Sequence, residues 1–275
     1  MGAITASMPS HRSVRPVHIV PVRAAAALLA LIGCSPARPP QEEERWSRVV
    51  AALQQVAEEY QDTLELRDQE AAQGRRLQLT RLVDETSAAA GAIGGRLAEQ
   101  IQRELPPVRA RILGVDYHLG RDCRALVGRI LEQTRVPRTP RLRPDVESGK
   151  RLFAQVCAPC HGVDGMGGAV GIDATMQPPP PNILEPPHNW SPYEMFNRAT
   201  YGGVETAMPS FEQGLTESER WDIVFYLFAE RWPPCAKPLP PIGADELAMM
   251  GDFELGNLYG YGAAACLRRD FLPPR

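Results

Sequence analysis

The sequence has no hydrophobic run long enough to persist as a membrane span. Its most apolar stretch, residues 24–33, is ten residues long, whereas a helix needs about 20 to cross a bilayer. Nor is there a basic tract suited to nucleic acid, because the arginines near residues 135–143 are few and broken up by proline. No stretch shows the period-two alternation of a half-buried strand, which leaves helices and coil. What remains is ordinary globular composition, 44% hydrophobic and 23% charged over 275 residues, with room for two compact units. The 27 prolines and 23 glycines are unevenly spread, so part of that length is linker or coil.

Residues 1–33 read as an export signal. Arg12, Arg15 and Arg23 give a positive start without an acid, and the apolar stretch follows. It ends in Leu31-Ile32-Gly33-Cys34, which resembles the lipobox of bacterial lipoproteins. That resemblance implies a lipid on Cys34, now the mature N-terminus, and a periplasmic protein anchored to a bacterial membrane. Acyl chains contribute roughly 0.8 kcal/mol per buried methylene to such an anchor. A plain signal cleaved at Ala37 is the alternative. Loss of the signal removes three arginines and no acid, moving the formal charge from −3 to −6.

Residues 34–135 read as a helical domain. Trp46, Val49, Val50, Leu53, Val56, Ala57 and Tyr60 recur at the spacing of one helix face, with Arg48, Gln55, Glu58 and Glu59 opposite. A second run, through Leu79, Leu82, Val83, Ala90, Ile93, Leu97 and Ile101, keeps the same period and is expected to stop at Pro106-Pro107. Two further helices, over 108–117 and 122–134, complete a bundle. Residues 136–144 hold three prolines and three arginines and form an extended linker. Residues 145–233 form a second domain of short helices around long loops, and 234–275 a Gly-rich tail with two short helices. In the second domain Asp145 can cap a helix running to Cys157. Ser191 with Glu194 and Thr216 with Glu219 have the capping-box pattern.

Cys157-Ala158-Pro159-Cys160-His161 carries the chemistry. Positions i, i+3 and i+4 of a helical turn share a face. Two thiols there can form thioethers with haem vinyl groups while the imidazole reaches the iron, the c-type attachment pattern. A redox dithiol has no use for the histidine, and a zinc site needs two more ligands at compact spacing. One haem c is therefore expected, on Cys157 and Cys160, with His161 as an iron ligand. Met208, in Ala207-Met208-Pro209, is the expected sixth ligand and His188 its rival. Met166 and Met176 lie too near the motif, and Met195 falls on a helix and reads as core. Trp190 and Tyr201 are expected either to bond a propionate or to wall the pocket. Of the other cysteines, Cys123, Cys235 and Cys266 include at least one that is unpaired. Cys235–Cys266 is the favoured disulfide.

With Gly149, Phe153, Pro181-Asn182, the Met-Pro pair and the aromatic last helix, the chain resembles class I cytochrome c. The resemblance implies an all-α fold, an N-terminal helical bundle joined to a class I cytochrome c. It implies that Gly149, Phe153 and Tyr226 meet where the first and last helices cross, and that the Pro181 carbonyl orients His161. Ser191-Pro192-Tyr193-Glu194-Met195-Phe196-Asn197, the stretch from Tyr201 to Phe211, Glu219-Arg220-Trp221 and Ala263-Ala264-Ala265-Cys266-Leu267-Arg268-Arg269 are similar to something narrower. That is the periplasmic part of bacterial proteins in which cytochrome c is fused to a high-affinity iron permease. The chain stops at Arg275, before membrane helices, and contains no Arg-Glu-x-x-Glu, the iron-binding motif of those permeases. It is thus expected not to transport iron itself but to carry single electrons beside a separate iron permease, oxidising or reducing iron there. A His/Met haem has no open coordination site, so the protein is not expected to be an enzyme. Its partners would be a redox protein, the membrane and iron ions. Glu42, Glu43, Glu44, Glu58 and Glu59 could hold iron but read first as solvated charge. The alternative function is a general carrier between a quinol-oxidising complex and a terminal oxidase or reductase.

Overall fold

The apolar stripe that begins at Trp46 makes the first helix, α1 (Gln41–Glu65), amphipathic, and its seven members are at most 3% exposed. The computed structural model describes residues 41–167, 176, 178–183, 190–229, 242–260 and 262–269, and every regular element among them is helical. The signal, Cys34 and His188 lie outside the described residues. Residues 39–275 form one compact unit.

α2 (Gln69–Ile93), α3 (Gly95–Gly114) and α4 (Leu119–Gln133) complete the helical region. α2 and α4 pack on α1, and α3 packs on α2. Asp68 starts α2 by accepting the amides of Glu70 and Ala71 at 2.9 and 3.2 Å. Tyr60, buried in this core, accepts the Asp116 amide through its hydroxyl at 2.6 Å.

The second sequence run divides differently from the expectation. It breaks at Gly94-Gly95, where φ is +79° and +84°, a left-handed pair that only glycine adopts without strain. α3 then runs straight through Pro106-Pro107 to Gly114 instead of stopping there. The prolines leave the carbonyls of Gln102 and Arg103 without helical donors, and both residues are exposed, so water can satisfy them. Ile101, Leu105, Val108 and Ile112 meanwhile stay buried and hold both halves of the helix on the core.

A second correction concerns the polar side of α1. Gln55, Glu58 and Glu59 do not face solvent but are buried, whereas Glu42 and Glu44 at the start of the helix are exposed. The covering element is α7 (Pro192–Tyr201), so α1 is packed on both sides. The stretch 136–144 is irregular and tied along its length. Arg138 pairs with Asp245, Arg141 with Glu217, and Arg143 donates to the Arg269 carbonyl.

The remaining elements are α5 (Val146–Leu152), a π turn over Phe153–Cys157, α6 (Ala158–His161) and α8 (Glu217–Ala229). Both capping boxes form, at Ser191–Glu194 and at Thr216–Glu219. The tail holds three short helices among the described residues rather than two: α9 (Ala244–Met249), α10 (Asp252–Tyr259) and α11 (Ala263–Arg269). Gly251 and Gly260 separate them. Arg268 anchors the tail: it pairs with Asp252, donates to the Met250 carbonyl at 2.8 Å and lies over the Phe228 ring at 4.5 Å. Cys266 is disulfide-bonded, and Cys235, its expected partner, lies outside the described residues.

Candidate functional site

The site begins where α5 crosses α8. A Cβ on Gly149 would overlap the backbone carbonyl of Asp222 and stand 2.9 Å from the Cβ of Tyr226. Only glycine lets the two backbones approach this closely. Phe153 and Tyr226 pack beside it with ring centroids 5.5 Å apart. Asp145 caps α5 through the amides of Glu147 and Ser148, and Asp222 accepts the Asp145 amide at 2.8 Å. The start of α5 is thereby fixed to α8 by hydrogen bonds as well as packing.

From this crossing the chain enters the π turn, in which the Ala158 amide reaches back to the Phe153 carbonyl. Such turns insert one extra residue into a helix and change the direction in which later side chains point. Cys157 ends the turn, and Cys160 and His161 follow on α6. Both thiols are unpaired and partly exposed. Burial, and secondarily Cys160, push the Cys157 thiol up to about 12. That is opposite to the depressed value of a redox dithiol. Among the described residues no three His, Cys, Asp or Glu side chains converge as metal ligands.

The loop after His161 folds under the proline run. The Gly167 amide donates to the His161 carbonyl at 2.8 Å, and the Ile183 amide donates to the Gly165 carbonyl at 2.8 Å. These bonds bring the Pro181 carbonyl to 3.1 Å from His161 Nδ1. A carbonyl can only accept, so Nδ1 carries the proton and Nε2 keeps its lone pair. Burial lowers the His161 pKa while the Pro181 bond raises it, which favours the neutral ring. A neutral imidazole with one nitrogen tied back and the other bare is the form that binds a metal. Together with two adjacent unpaired thiols, this donor set fits a covalently attached haem.

Met208 lies on the loop that leaves α7, and it is partly buried. Gly202, with φ +79°, ends α7 and lets the returning chain pass, since a Cβ there would sit 2.7 Å from the Met208 carbonyl. The Gly203 amide donates to that same carbonyl at 3.2 Å. Of the other methionines, Met195 is core and Met166 is 56% exposed. Trp190 is half-buried with the Arg198 guanidinium 5.1 Å above its ring. Tyr201 lies at the contact with α1, under Arg48 at 5.1 Å, and burial pushes its phenol up to about 12.

A polar layer that the helix period does not predict lies between α1 and α7. Arg198 donates to Glu58 and Glu59, Asn197 donates to Gln54 at 2.6 Å, and Gln55 bonds the loop ahead of Met208. The available signal was the pair Gln54-Gln55, uncharged polar residues in mid-helix next to a tyrosine-ended acidic pair. Such residues suit a buried helix face better than a solvated one.

No curated protein and no solved structure matches the chain. Residues 144–227 match the family model described as cytochrome c oxidase, cbb3-type, subunit III. The matched span begins just before the Asp145 cap and ends on α8, enclosing the helix crossing, the Cys-x-x-Cys-His turn, Pro181 and Met208. This part of the chain is a cytochrome c domain, an electron-transfer module that carries haem c covalently.

Proposed function

We propose that the protein is a membrane-tethered monohaem cytochrome that carries single electrons for a high-affinity iron uptake permease. Cys157 and Cys160 would hold the haem through thioethers, and His161 and Met208 would bind its iron. When bound, the haem supplies a site that gains or loses one electron without breaking a bond. The chain's residues do the rest. Pro181 would fix the His161 ring, the α5–α8 crossing would hold the start of the segment that leads to it, and the Gly202 turn would present Met208. The observation that carries this reading is the 3.1 Å approach of His161 Nδ1 to the Pro181 carbonyl, beside two unpaired thiols.

A His/Met pair leaves no open coordination position, so the protein moves electrons and does not activate a substrate. A soft thioether favours ferrous iron and a relatively high potential. Met208→Ala should abolish the weak near-infrared sulfur-to-iron band, and an unchanged band would sink the assignment. Cys157→Ser with Cys160→Ser should leave no haem attached under denaturing conditions.

The iron link rests on the similarity of the 191–197 and 201–211 stretches to permease-fused cytochromes. The lipobox at Cys34 would tether the domain in the periplasm and raise its effective concentration at the membrane. In this scheme the oxidised protein takes one electron from ferrous iron, which leaves as ferric iron, or the reduced protein gives one electron to ferric iron, which leaves as ferrous iron. No helix among the described residues is long and apolar enough to cross a membrane. A second reading has its own support: the oxidase-subunit description of the matched model favours a carrier delivering electrons to a terminal oxidase. Ferrous iron should reduce the oxidised protein much faster than it reduces a simple cytochrome c. Equal rates would leave the oxidase reading.

A further inference from the structure

We propose that α1 and α2 act as a latch on the Met208 loop, with Gln55 as the positioning residue. This rests on Met208 as the sixth ligand. Gln55 is 5% exposed and sits in the middle of α1, far from Met208 in sequence. Its amide is used at both ends: Nε2 donates to the Gly202 carbonyl at 3.0 Å, and Oε1 accepts the Val204 amide at 2.9 Å. One side chain thus replaces the backbone partners that a strand or helix would have given this loop.

The hold reaches Met208 because the loop is braced within itself. The Gly203 amide donates to the Met208 carbonyl at 3.2 Å, and the Met208 amide donates to the Thr206 hydroxyl at 3.2 Å. The Thr206 amide donates in turn to the Gly203 carbonyl at 3.4 Å. Fixing residues 202 and 204 therefore fixes 208. A second tether runs from Arg81 of α2 to Glu205 at 3.2 Å. Glu205 has φ +51°, a conformation that L residues adopt only when their surroundings impose it. Just beyond Met208, Ser210 donates to the Thr200 carbonyl at 2.7 Å and the Phe211 amide to that of Ala199 at 3.1 Å. The cytochrome domain braces the far side of the loop, and the helical region supplies the near side.

The consequence is that the helical region tunes the lability of the sixth ligand.

Gln55→Met keeps the side-chain volume and removes both hydrogen bonds. Carbon monoxide binding, the sulfur-to-iron band and the midpoint potential are read on the holoprotein, with unfolding followed separately. Carbon monoxide should bind about tenfold more readily, as expected for a loop that loses two buried hydrogen bonds. The band should weaken and the potential fall. Arg81→Ala should add a smaller increase. Met208→Ala, run alongside, sets the fully open limit. If Met208→Ala changes neither band nor binding, the ligand assignment fails. If Met208→Ala changes both and Gln55→Met neither, the latch alone is overturned. Should Gln55→Met yield no holoprotein, amide exchange on the unaltered protein decides. Protection of the Val204 amide comparable to that of α7 supports the latch, and exchange at the rate of an exposed loop overturns it.

Discussion

Arg198 and Glu59 face each other across the contact of α7 with α1, with both terminal guanidinium nitrogens, Nη1 and Nη2, 3.0 Å from one carboxylate oxygen. Their side chains are 8% and 11% exposed. The same Glu59 takes Arg75 of α2 on its other oxygen at 2.8 Å, so α7, α1 and α2 share one charge network. α7 is therefore held on α1 and α2 through a buried polar layer.

Removing Arg198 leaves Glu58 and Glu59 buried without their shared partner. Arg198→Leu should destabilise the protein by about 3–5 kcal/mol, as measured by urea unfolding. Pairing it with Glu59→Leu and Glu58→Gln should recover most of that loss. A stability change below about 1 kcal/mol for Arg198→Leu, in the range of surface pairs, would show that the layer is hydrated.

Glu58 predicts a pH effect of unusual sign. Burial first, then the neighbouring Glu194, raise its pKa from 4.5 to about 8, while Arg198 acts in the opposite direction. The folded protein thus holds this proton where the unfolded chain has released it. The stabilisation is complete below pH 4.5 and declines as pH rises through about 8. Glu58→Gln should lose this dependence. The stability difference between Glu58→Gln and the unaltered protein should therefore grow between pH 5 and 9, in favour of the variant. A constant difference across that window would count against a protonated Glu58.

The α5–α8 crossing predicts a sharp cost for one methyl group. Gly149→Ala places its Cβ against backbone, which cannot rotate away as a side chain can. Destabilisation should lie at the upper end of the about 1–3 kcal/mol typical of overpacked cores. Thermal unfolding of the holoprotein measures it, and an unshifted midpoint would mean that the helices separate freely.

Arg268 is fully buried with Asp252. Arg268→Ala should therefore free the tail while leaving the haem spectrum intact. Limited proteolysis should then cut within residues 242–269. Resistance equal to that of the unaltered protein would assign the tail's attachment to the disulfide at Cys266.

Sequence periodicity was enough to locate α1, because its stripe of seven apolar residues has only one helical arrangement. The crossing at Gly149 was visible only through resemblance, since nothing local distinguishes a contact glycine from a flexible one. The break at Gly94-Gly95 is not legible in the sequence because the apolar period continues across it. The continuation through Pro106-Pro107 is not legible there either, because tertiary packing at Leu105 and Val108 offsets the lost backbone bonds. Charge and polarity, taken alone, mark Gln55, Glu58 and Glu59 as an exposed face, yet they are buried.

By itself the sequence determined the chemistry of attachment. Cys157, Cys160 and His161 are fixed by covalent spacing on one turn, and the caps at Asp145, Ser191 and Thr216 act within a few residues of themselves. The tertiary structure alone decided what lies on the other side of α1. A buried polar residue is stable only beside a partner. The partners of Gln55, Glu58 and Glu59 are about 140 residues away in the chain, near Arg198 and Gly202, and no local pattern encodes a meeting at that distance.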